Sequence, residues 1–358
     1  MPEAASIIHR MQWTLFCRVI DNLGDVGVCW RLARALAARG QRVNLVIDDA
    51  SALAWMAPGG AAGVQVLPWP ERSDLPDCGD VVVEAFGCDP PPAFVAAMAV
   101  RAERRPAPVW INLEYLSAEP YVERSHGLPS PQPDGLMKWF FYPGFTPRTG
   151  GLLRETGEIG KSEATAASAG VALLSRLGVA PVPGERVVSL FCYDNPALPA
   201  LLQALAAEPT LLLLTPGPAQ RQVAAAPPGV RLARLPWLSQ DDYDAVLAAC
   251  DLNFVRGEDS IVRAVWAGKP FVWQAYPQHD DAHAAKLEAL LGLWPAPADV
   301  AGLWRAWNGL GSGAWPGLPP LKPAWQQACA AWRGCLIQQA SLADQLLAFA
   351  SGKVRISG

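Results

Sequence analysis

The sequence predicts an α/β protein made of two doubly wound, Rossmann-like domains. Three observations support this: a length of 358 residues, a composition that is 51% hydrophobic and 17% charged, and short apolar runs that alternate with helical patterns. At about 150 residues per domain, the length fits two domains. The apolar fraction excludes a disordered chain, and alternating strands and helices are typical of parallel sheets.

The first domain is expected over residues 1–178. Its predicted strands are residues 13–20, 42–47, 80–85 and 109–113, and its predicted helices are residues 28–38 and 162–177. The last two strands do not alternate between apolar and polar residues, so we expect them to be buried on both faces. Residues 128–151 are rich in Pro, Gly and aromatic side chains, and we interpret them as a loop.

The second domain is expected over residues 179–340, after a joint at Pro181, Pro183 and Gly184. Its predicted strands are residues 186–192, 210–215, 230–234, 252–255 and 271–275, and its predicted helices are residues 199–207, 239–249 and 260–267. A C-terminal helix, about residues 340–358, is expected to return to the first domain. Two such domains facing each other would form a cleft at the carboxyl ends of their strands, where ligands bind in these folds.

Charge and composition exclude several classes of protein. A net charge of −4 argues against a nucleic-acid binder. No apolar run reaches the ~18 residues that a membrane span needs, and the N-terminus lacks the pattern of a signal peptide. The eight cysteines contain no CxxC pair, which predicts reduced thiols in the core. We therefore expect a cytoplasmic protein that binds no membrane.

The first candidate constellation joins the first strand to the first helix. It contains Asp21, Asn22, Gly24 and Asp25, with GxxG spacing and not the GxGxxG of a dinucleotide site. Two carboxylates on such a turn would lie at the cleft, beside a helix N-terminus. The alternative is structural: Asp25 caps the helix and Asp21 stabilises the turn.

The second constellation lies where a later strand enters a helix, and its residues are Arg256, Gly257, Glu258, Asp259 and Ser260. An arginine, a tight glycine turn and the N–H groups of a helix start suit a diphosphate. Glu258 would repel phosphate, so we interpret it as facing a cationic or hydroxyl partner. The alternative is a helix cap by Asp259 or Ser260, with Arg256 in a surface ion pair.

Aromatic side chains form a third group at strand ends. Phe191 and Tyr193 end one strand, and Trp237 precedes a helix. Such rings can stack on a base or close over a diphosphate, although most aromatic residues in a chain with 15 Trp belong to the core. The cluster from His279 to His283 lacks a third spaced ligand of the same kind, so we expect no metal site. Together the three groups indicate a two-domain, metal-independent glycosyltransferase.

Several segments resemble one family, the EarP protein-arginine rhamnosyltransferases that act on translation elongation factor P. The segments are residues 16–36, 112–131, 140–155, 190–195 and 254–278. The resemblance runs from about residue 13 to the C-terminus, and the RGEDS segment and the IDNxGDxG turn are its most specific parts. It implies the GT-B fold and transfer of L-rhamnose from dTDP-β-L-rhamnose to one arginine of the factor. Inversion at the anomeric carbon is also implied, with no cofactor and no metal.

The resemblance also implies roles for individual residues. Asp25 matches the general base, Glu258 the second essential carboxylate and Asp21 a supporting acid. The positions implied to bind the donor are Asn22, Gly24, Phe191, Tyr193, Trp237, Leu238, Gln240, Arg256, Gly257, Asp259, Ser260 and Tyr276. Trp237 stands where relatives have a Phe that stacks on thymine.

Two alternatives remain open at this stage. One is a GT-B enzyme with a small-molecule or glycan acceptor, which would turn over without a protein partner. The other is a noncatalytic sugar-nucleotide sensor, which would tolerate the loss of Asp25.

Overall fold

A computed structural model describes residues 10–19, 23–70, 75–155, 163–277, 282–311, 315–321 and 323–356. It divides into two compact units. The first comprises the described residues of 1–54, 58–156 and 339–358, and the second those of 55–57 and 157–338. None of the helices in the described ranges is both long enough and apolar enough to cross a bilayer.

The first unit is built on a seven-stranded sheet. Its strands are β1 (Gln12–Cys17), β2 (Arg42–Ile47), β3 (Val64–Pro68), β4 (Val81–Ala85), β5 (Val109–Leu113), β6 (Pro129–Pro131) and β7 (Met137–Phe141). The order is β3-β2-β1-β4-β5-β7-β6, and every pair is parallel except β6 with β7. Every residue of β4 and β5 is buried, Glu84 and Asn112 included, as the lack of alternation along these strands predicts.

Helices α1 (Gly24–Ala37), α2 (Leu53–Met56), α3 (Pro92–Ala102) and α4 (Pro120–Ser125) connect these strands. The chain returns at its end through α13 (Leu342–Ile356). This helix is held to the first unit because the N–H of Leu342 donates to the carbonyl of Leu152 (2.9 Å) and Arg39 pairs with Asp344 (2.6 Å).

The second unit contains a five-stranded parallel sheet of order β10-β9-β8-β11-β12. Its strands are β8 (Arg186–Leu190), β9 (Thr210–Leu214), β10 (Val230–Arg234), β11 (Leu252–Arg256) and β12 (Phe271–Gln274). Its helices are α5 (Glu163–Arg176), α6 (Leu198–Leu205), α7 (Pro218–Gln222), α8 (Gln240–Ala249), α9 (Gly257–Ala267), α10 (Ala282–Leu293), α11 (Ala298–Trp307) and α12 (Pro323–Ile337). The two doubly wound parallel sheets confirm the predicted α/β fold class.

Several boundaries differ from those that the sequence predicts. Residues 128–151 are not all loop, because they contain β6 and β7. Met137–Phe141 extends the parallel sheet beyond β5, and Gly135, at φ +83°, allows the tight turn before it. Helices α1 and α9 begin earlier than expected, because Gly24 and Gly257, which the sequence places in turns, are the first residues of these helices.

The division between the units also differs from the expected joint at residue 178. Helix α5 packs along α8 and therefore belongs to the second unit. Gly170 permits this close approach, because a Cβ at that position would overlap the carbonyl oxygen of Ala245.

Candidate active site

The junction of β11 and α9 carries the second constellation. Arg256 ends the strand and precedes the helix, and its side chain supplies no capping hydrogen bond within the described structure. Gly257 has φ +71°, a left-handed conformation that costs glycine little. Glu258 and Asp259 lie in the first helical turn, and Ser260 is buried. The positive end of the α9 dipole therefore lies at the carboxyl end of β11.

The guanidinium of Arg256 lies over two aromatic rings. Its Cζ is 4.5 Å from the ring centroid of Phe191 and 4.3 Å from that of Tyr193. Burial lowers the pKa of Arg256 below its ordinary value, yet an arginine stays charged at neutral pH. No carboxylate among the described residues pairs with it, so the alternative of a surface ion pair is wrong. A half-buried cation without a carboxylate is suited to binding an anion.

Backbone contacts hold the two rings in place. The N–H of Phe191 donates to the carbonyl of Phe254 (2.9 Å), which continues the pairing of β8 with β11. The N–H of Tyr193 donates to Oε1 of Gln274 (2.9 Å). The indole Nε1 of Trp273 donates to the carbonyl of Gly257 (3.0 Å) and so fixes the turn before α9. Gln274 and Trp273 were not predicted as site residues, although both lie at the end of a buried strand beside β11.

The other residues of this unit that are predicted to bind the donor differ in their exposure and packing. The Tyr276 ring is about half exposed and meets Tyr193 edge-on, with 5.2 Å between centroids. Trp237 is 53% exposed, and its ring lies 4.6 Å from that of Trp55, which groups with this unit. Leu238 packs against the core beneath α8, and Gln240 is buried as the first residue of α8.

A side chain caps the start of α8. Ser239 is the N-cap, and its hydroxyl oxygen accepts from the N–H of Asp242 (3.1 Å). The Ser239 hydroxyl also contacts Oδ2 of Asp242 (2.8 Å). Ser239 and Asp242 therefore form a capping pair in which the short Asp side chain is bonded to the hydroxyl instead of reaching back to the backbone.

Tyr243 is a second residue that the sequence did not single out. One turn after Gln240 on α8, it meets the Phe191 ring edge-on at 5.9 Å. Burial raises the pKa of Tyr243, and the nearby hydroxyl of Ser260 has the opposite effect. The only signal in the sequence is its spacing of three residues from Gln240, which places both on one face of the helix.

The first constellation lies in the first unit, at the start of α1. Gly24 begins the helix and Asp25 is buried in its first turn, where a carboxylate is favoured by the helix dipole. The N-cap is Leu23, so Asp25 is not the capping residue that the structural alternative required. Asp21 and Asn22 lie outside the described residues.

Helix α1 is anchored through buried charge. The Arg31 side chain is fully buried, and its Nη1 pairs with Oε1 of Glu155 at 3.1 Å. Arg34, one turn further along α1, pairs with the other oxygen of the same carboxylate. This pairing fixes the helix that carries Asp25.

The residues suspected of metal binding give little further information. His279, Asp280 and Asp281 lie outside the described residues, whereas His283 is described at the start of α10. Within the described ranges, no three His, Cys, Asp or Glu side chains are grouped so that they could hold a metal ion. All eight cysteines are free thiols, and seven of them are buried.

Three residues predicted to bind the donor lie at the switch point of the second unit's sheet. Phe191 and Tyr193 follow β8, and Arg256 ends the neighbouring β11, where the strand order reverses. Ligands of doubly wound sheets bind at such points, and a helix N-terminus with an arginine suits a diphosphate. The same overall fold occurs in spinosyn forosaminyltransferase SpnP, 13% identical, with a TM-score of 0.55 over 96% of this chain and 100% of that one. The protein therefore has the GT-B fold.

Comparison at the level of sequence defines the family. The family described as "Elongation-Factor P (EF-P) rhamnosyltransferase EarP" matches residues 13–351. A protein-arginine rhamnosyltransferase of Pseudomonas aeruginosa is 43% identical over 371 residues, covering 94% of this chain and 98% of the relative. A structure solved for EarP-mediated arginine glycosylation of translation elongation factor EF-P is 31% identical, with a TM-score of 0.62 over 96% of this chain and 99% of that one. The chain belongs to the EarP family.

Proposed function

We propose that this protein transfers L-rhamnose from dTDP-β-L-rhamnose to one arginine side chain of elongation factor P, with inversion at the anomeric carbon. The observation that carries the proposal is the Arg256 guanidinium, half-buried and stacked on Phe191 and Tyr193 beside the start of α9. The names of the relatives support arginine as acceptor and rhamnose as the sugar. The donor nucleotide and the stereochemistry rest on the family resemblance.

The acceptor chemistry explains a need for carboxylates. A guanidinium is a poor nucleophile because its lone pairs are delocalised and it carries a positive charge. The pKa of arginine exceeds that of a carboxylate by about nine units, or roughly 12 kcal/mol against prior deprotonation. Proton loss therefore accompanies or follows formation of the C–N bond.

In the proposed reaction, Asp25 and Glu258 orient the guanidinium. One nitrogen attacks the anomeric carbon of rhamnose from the face opposite the diphosphate. The bond from that carbon to the diphosphate oxygen breaks, and the oxygen keeps the electron pair. Asp25 takes the proton that the attacking nitrogen loses. Asp25 suits this role because it is buried in the first turn of α1, on a helix fixed by Arg31 and Glu155.

The leaving diphosphate carries the charge that must be stabilised. In this scheme Arg256 and the N–H groups at the start of α9 stabilise that charge, and Tyr193 lies close to Gly257 beside them. Glu258 lies in the same helical turn and faces the cationic acceptor in this scheme. The proposal requires no metal ion, and a translation factor as acceptor implies that the reaction takes place in the cytoplasm.

Transfer and donor binding measured on Asp25→Asn test the proposal. The wild-type protein should modify elongation factor P, whereas the variant should bind dTDP-rhamnose with unchanged affinity and transfer nothing. Near-normal turnover by Asp25→Asn would contradict the assignment of the base. Donor binding without transfer by the wild-type protein would indicate another acceptor or a sensor, and no donor binding would contradict the whole proposal.

A further inference from the structure

A cluster of side chains at the carboxyl edge of the first sheet has no role in the reaction described above. Phe86 follows β4, and Glu114 and Tyr115 follow β5. Strand β4 lies between β1 and β5, so this edge continues from the β1–α1 junction that leads to Asp25. The cluster therefore borders the switch point of the first sheet, between β1 and β4.

The first member of the cluster, Glu114, is a half-buried carboxylate. Its Oε1 accepts from Nδ2 of Asn112 (2.8 Å), and its backbone N–H donates to the carbonyl of Phe141 (2.9 Å). The positive charge of Lys138 acts on Glu114 electrostatically, but Lys138 forms its ion pair with Glu84, at 2.7 Å. No Lys, Arg or His side chain in the described structure pairs with Glu114, and burial raises the pKa of its carboxyl group.

Two aromatic rings follow the same strand ends: Tyr115 directly follows Glu114 in the chain, and Phe86 directly follows β4. Phe86 and Tyr115 are stacked, with centroids 4.4 Å apart and an angle of 14°, and Tyr115 is 40% exposed. Phe86 has φ +58°, a left-handed conformation that costs a non-glycine residue about 1–2 kcal/mol. Its N–H donates to the carbonyl of Leu113 (2.7 Å), which holds this conformation. Strain of this kind is commonly kept where a side chain must be aimed at a ligand.

A half-buried carboxylate followed in the chain by an exposed aromatic ring offers the chemistry that recognises a basic side chain. Carboxylates accept from guanidinium or ammonium groups, and these cations are attracted to ring faces. Resting on the proposed function, we infer that Glu114 and the Phe86–Tyr115 pair bind a second basic side chain of the acceptor protein, next to the arginine that is modified. The axes of β1 and β5 are about 10 Å apart, since one strand separates them, so the occupant is a neighbour of the target arginine.

This inference predicts an effect on acceptor binding alone. With purified elongation factor P as acceptor, Glu114→Gln should raise the KM for the acceptor about 10-fold, equivalent to about 1.4 kcal/mol. The kcat and the KM for dTDP-rhamnose should stay within two-fold of wild type. Tyr115→Leu should also raise the acceptor KM, and Tyr115→Phe, which keeps the ring, should not. Glu103→Gln is the matched control, because Glu103 is an exposed carboxylate at the end of α3.

A double-mutant cycle identifies the occupant. Basic residues flanking the target arginine are replaced one at a time by alanine and assayed with both forms of the enzyme. One of these replacements should raise KM with the wild-type enzyme and have no further effect with Glu114→Gln. Additive effects at every position would overturn the inference, as would a lower kcat with an unchanged acceptor KM.

The Tyr115 variants distinguish a folding defect from a loss of acceptor binding. If Glu114→Gln is not folded at the assay temperature, the Tyr115→Leu and Tyr115→Phe pair decides, since that ring is exposed. Absence of transfer by the wild-type enzyme would count against the proposed function. Normal transfer by the wild type with unchanged KM in all variants would count against this inference alone.

Discussion

Replacing Arg256 with glutamine should abolish most of the nucleotide affinity without destabilising the protein. The guanidinium is stacked on two rings and has no carboxylate partner in the described structure, which supports the proposal that it binds the diphosphate of the donor. A hydrogen bond to a charged group contributes about 1.5–3 kcal/mol. We therefore expect dTDP to bind roughly 30–150-fold more weakly, equivalent to about 2–3 kcal/mol.

The free energy of unfolding of Arg256→Gln is a second, independent test of this role. Burial lowers the pKa of Arg256, which means that the fold disfavours the charged form. Removing the charge relieves that cost and removes two cation–π contacts of about 0.5–1 kcal/mol each. The two effects oppose each other, so the free energy of unfolding should change by less than about 1 kcal/mol.

The assay is calorimetric titration of dTDP, with urea unfolding of the same samples. Arg256→Lys keeps a charge but loses the planar fork, so its affinity should fall about 10-fold, between wild type and Arg256→Gln. Arg231→Gln is the matched control, because Arg231 is a partly exposed arginine that pairs with Glu185. If Arg256→Gln bound dTDP within two-fold of wild type, the assignment of the diphosphate site would be refuted.

Three further changes are predicted. Glu155→Gln should lower the free energy of unfolding by about 3 kcal/mol, measured in urea, because it removes the carboxylate from the buried Arg31; a loss below 0.5 kcal/mol, within the usual range of surface substitutions, would contradict this. Gly257→Ala should lower the free energy of unfolding by about 1–2 kcal/mol, measured by thermal melting, because residue 257 has a left-handed φ of +71°. The new Cβ would lie at an ordinary contact distance of 3.6 Å from the Tyr193 hydroxyl. An unfolded variant would therefore show that packing dominates and that backbone strain does not. Burial raises the pKa of Glu114, so the folded state holds this proton more tightly than the unfolded chain. The stability from this group is complete below its unfolded pKa of ~4.3 and is lost as the pH rises through the folded pKa. The free energy of unfolding of wild type minus that of Glu114→Gln should therefore decrease from pH 4 to 7, and a constant difference would refute the burial effect.

The sequence predicts the central strands well because their signal is local. β2 and β5 match the predicted bounds, since each is a short, mainly apolar segment between charged or proline-rich segments. β7 escapes prediction because Met137–Phe141 is only partly buried and lies in a stretch rich in Pro and Gly. Its strand conformation comes from pairing with β5, a partner more than 20 residues away.

The residues of the candidate site were also predictable from the sequence only in part. Arg256, Phe191 and Tyr193 could be selected because they stand at strand ends, and the structure brings them together. Tyr243 and Trp273 could not, because their contacts with the site depend on how α8 and β12 pack beside β11. The placement of Asp25 on a buried helical turn likewise depends on its distant anchor, Glu155.

The most direct test of the central claim is the intact mass of unmodified elongation factor P after incubation with this protein and dTDP-β-L-rhamnose in the presence of EDTA. The proposed function predicts a gain of one deoxyhexose, mapped to a single arginine, together with dTDP release. An unchanged mass, with donor binding still measurable by titration, would contradict elongation factor P as the acceptor.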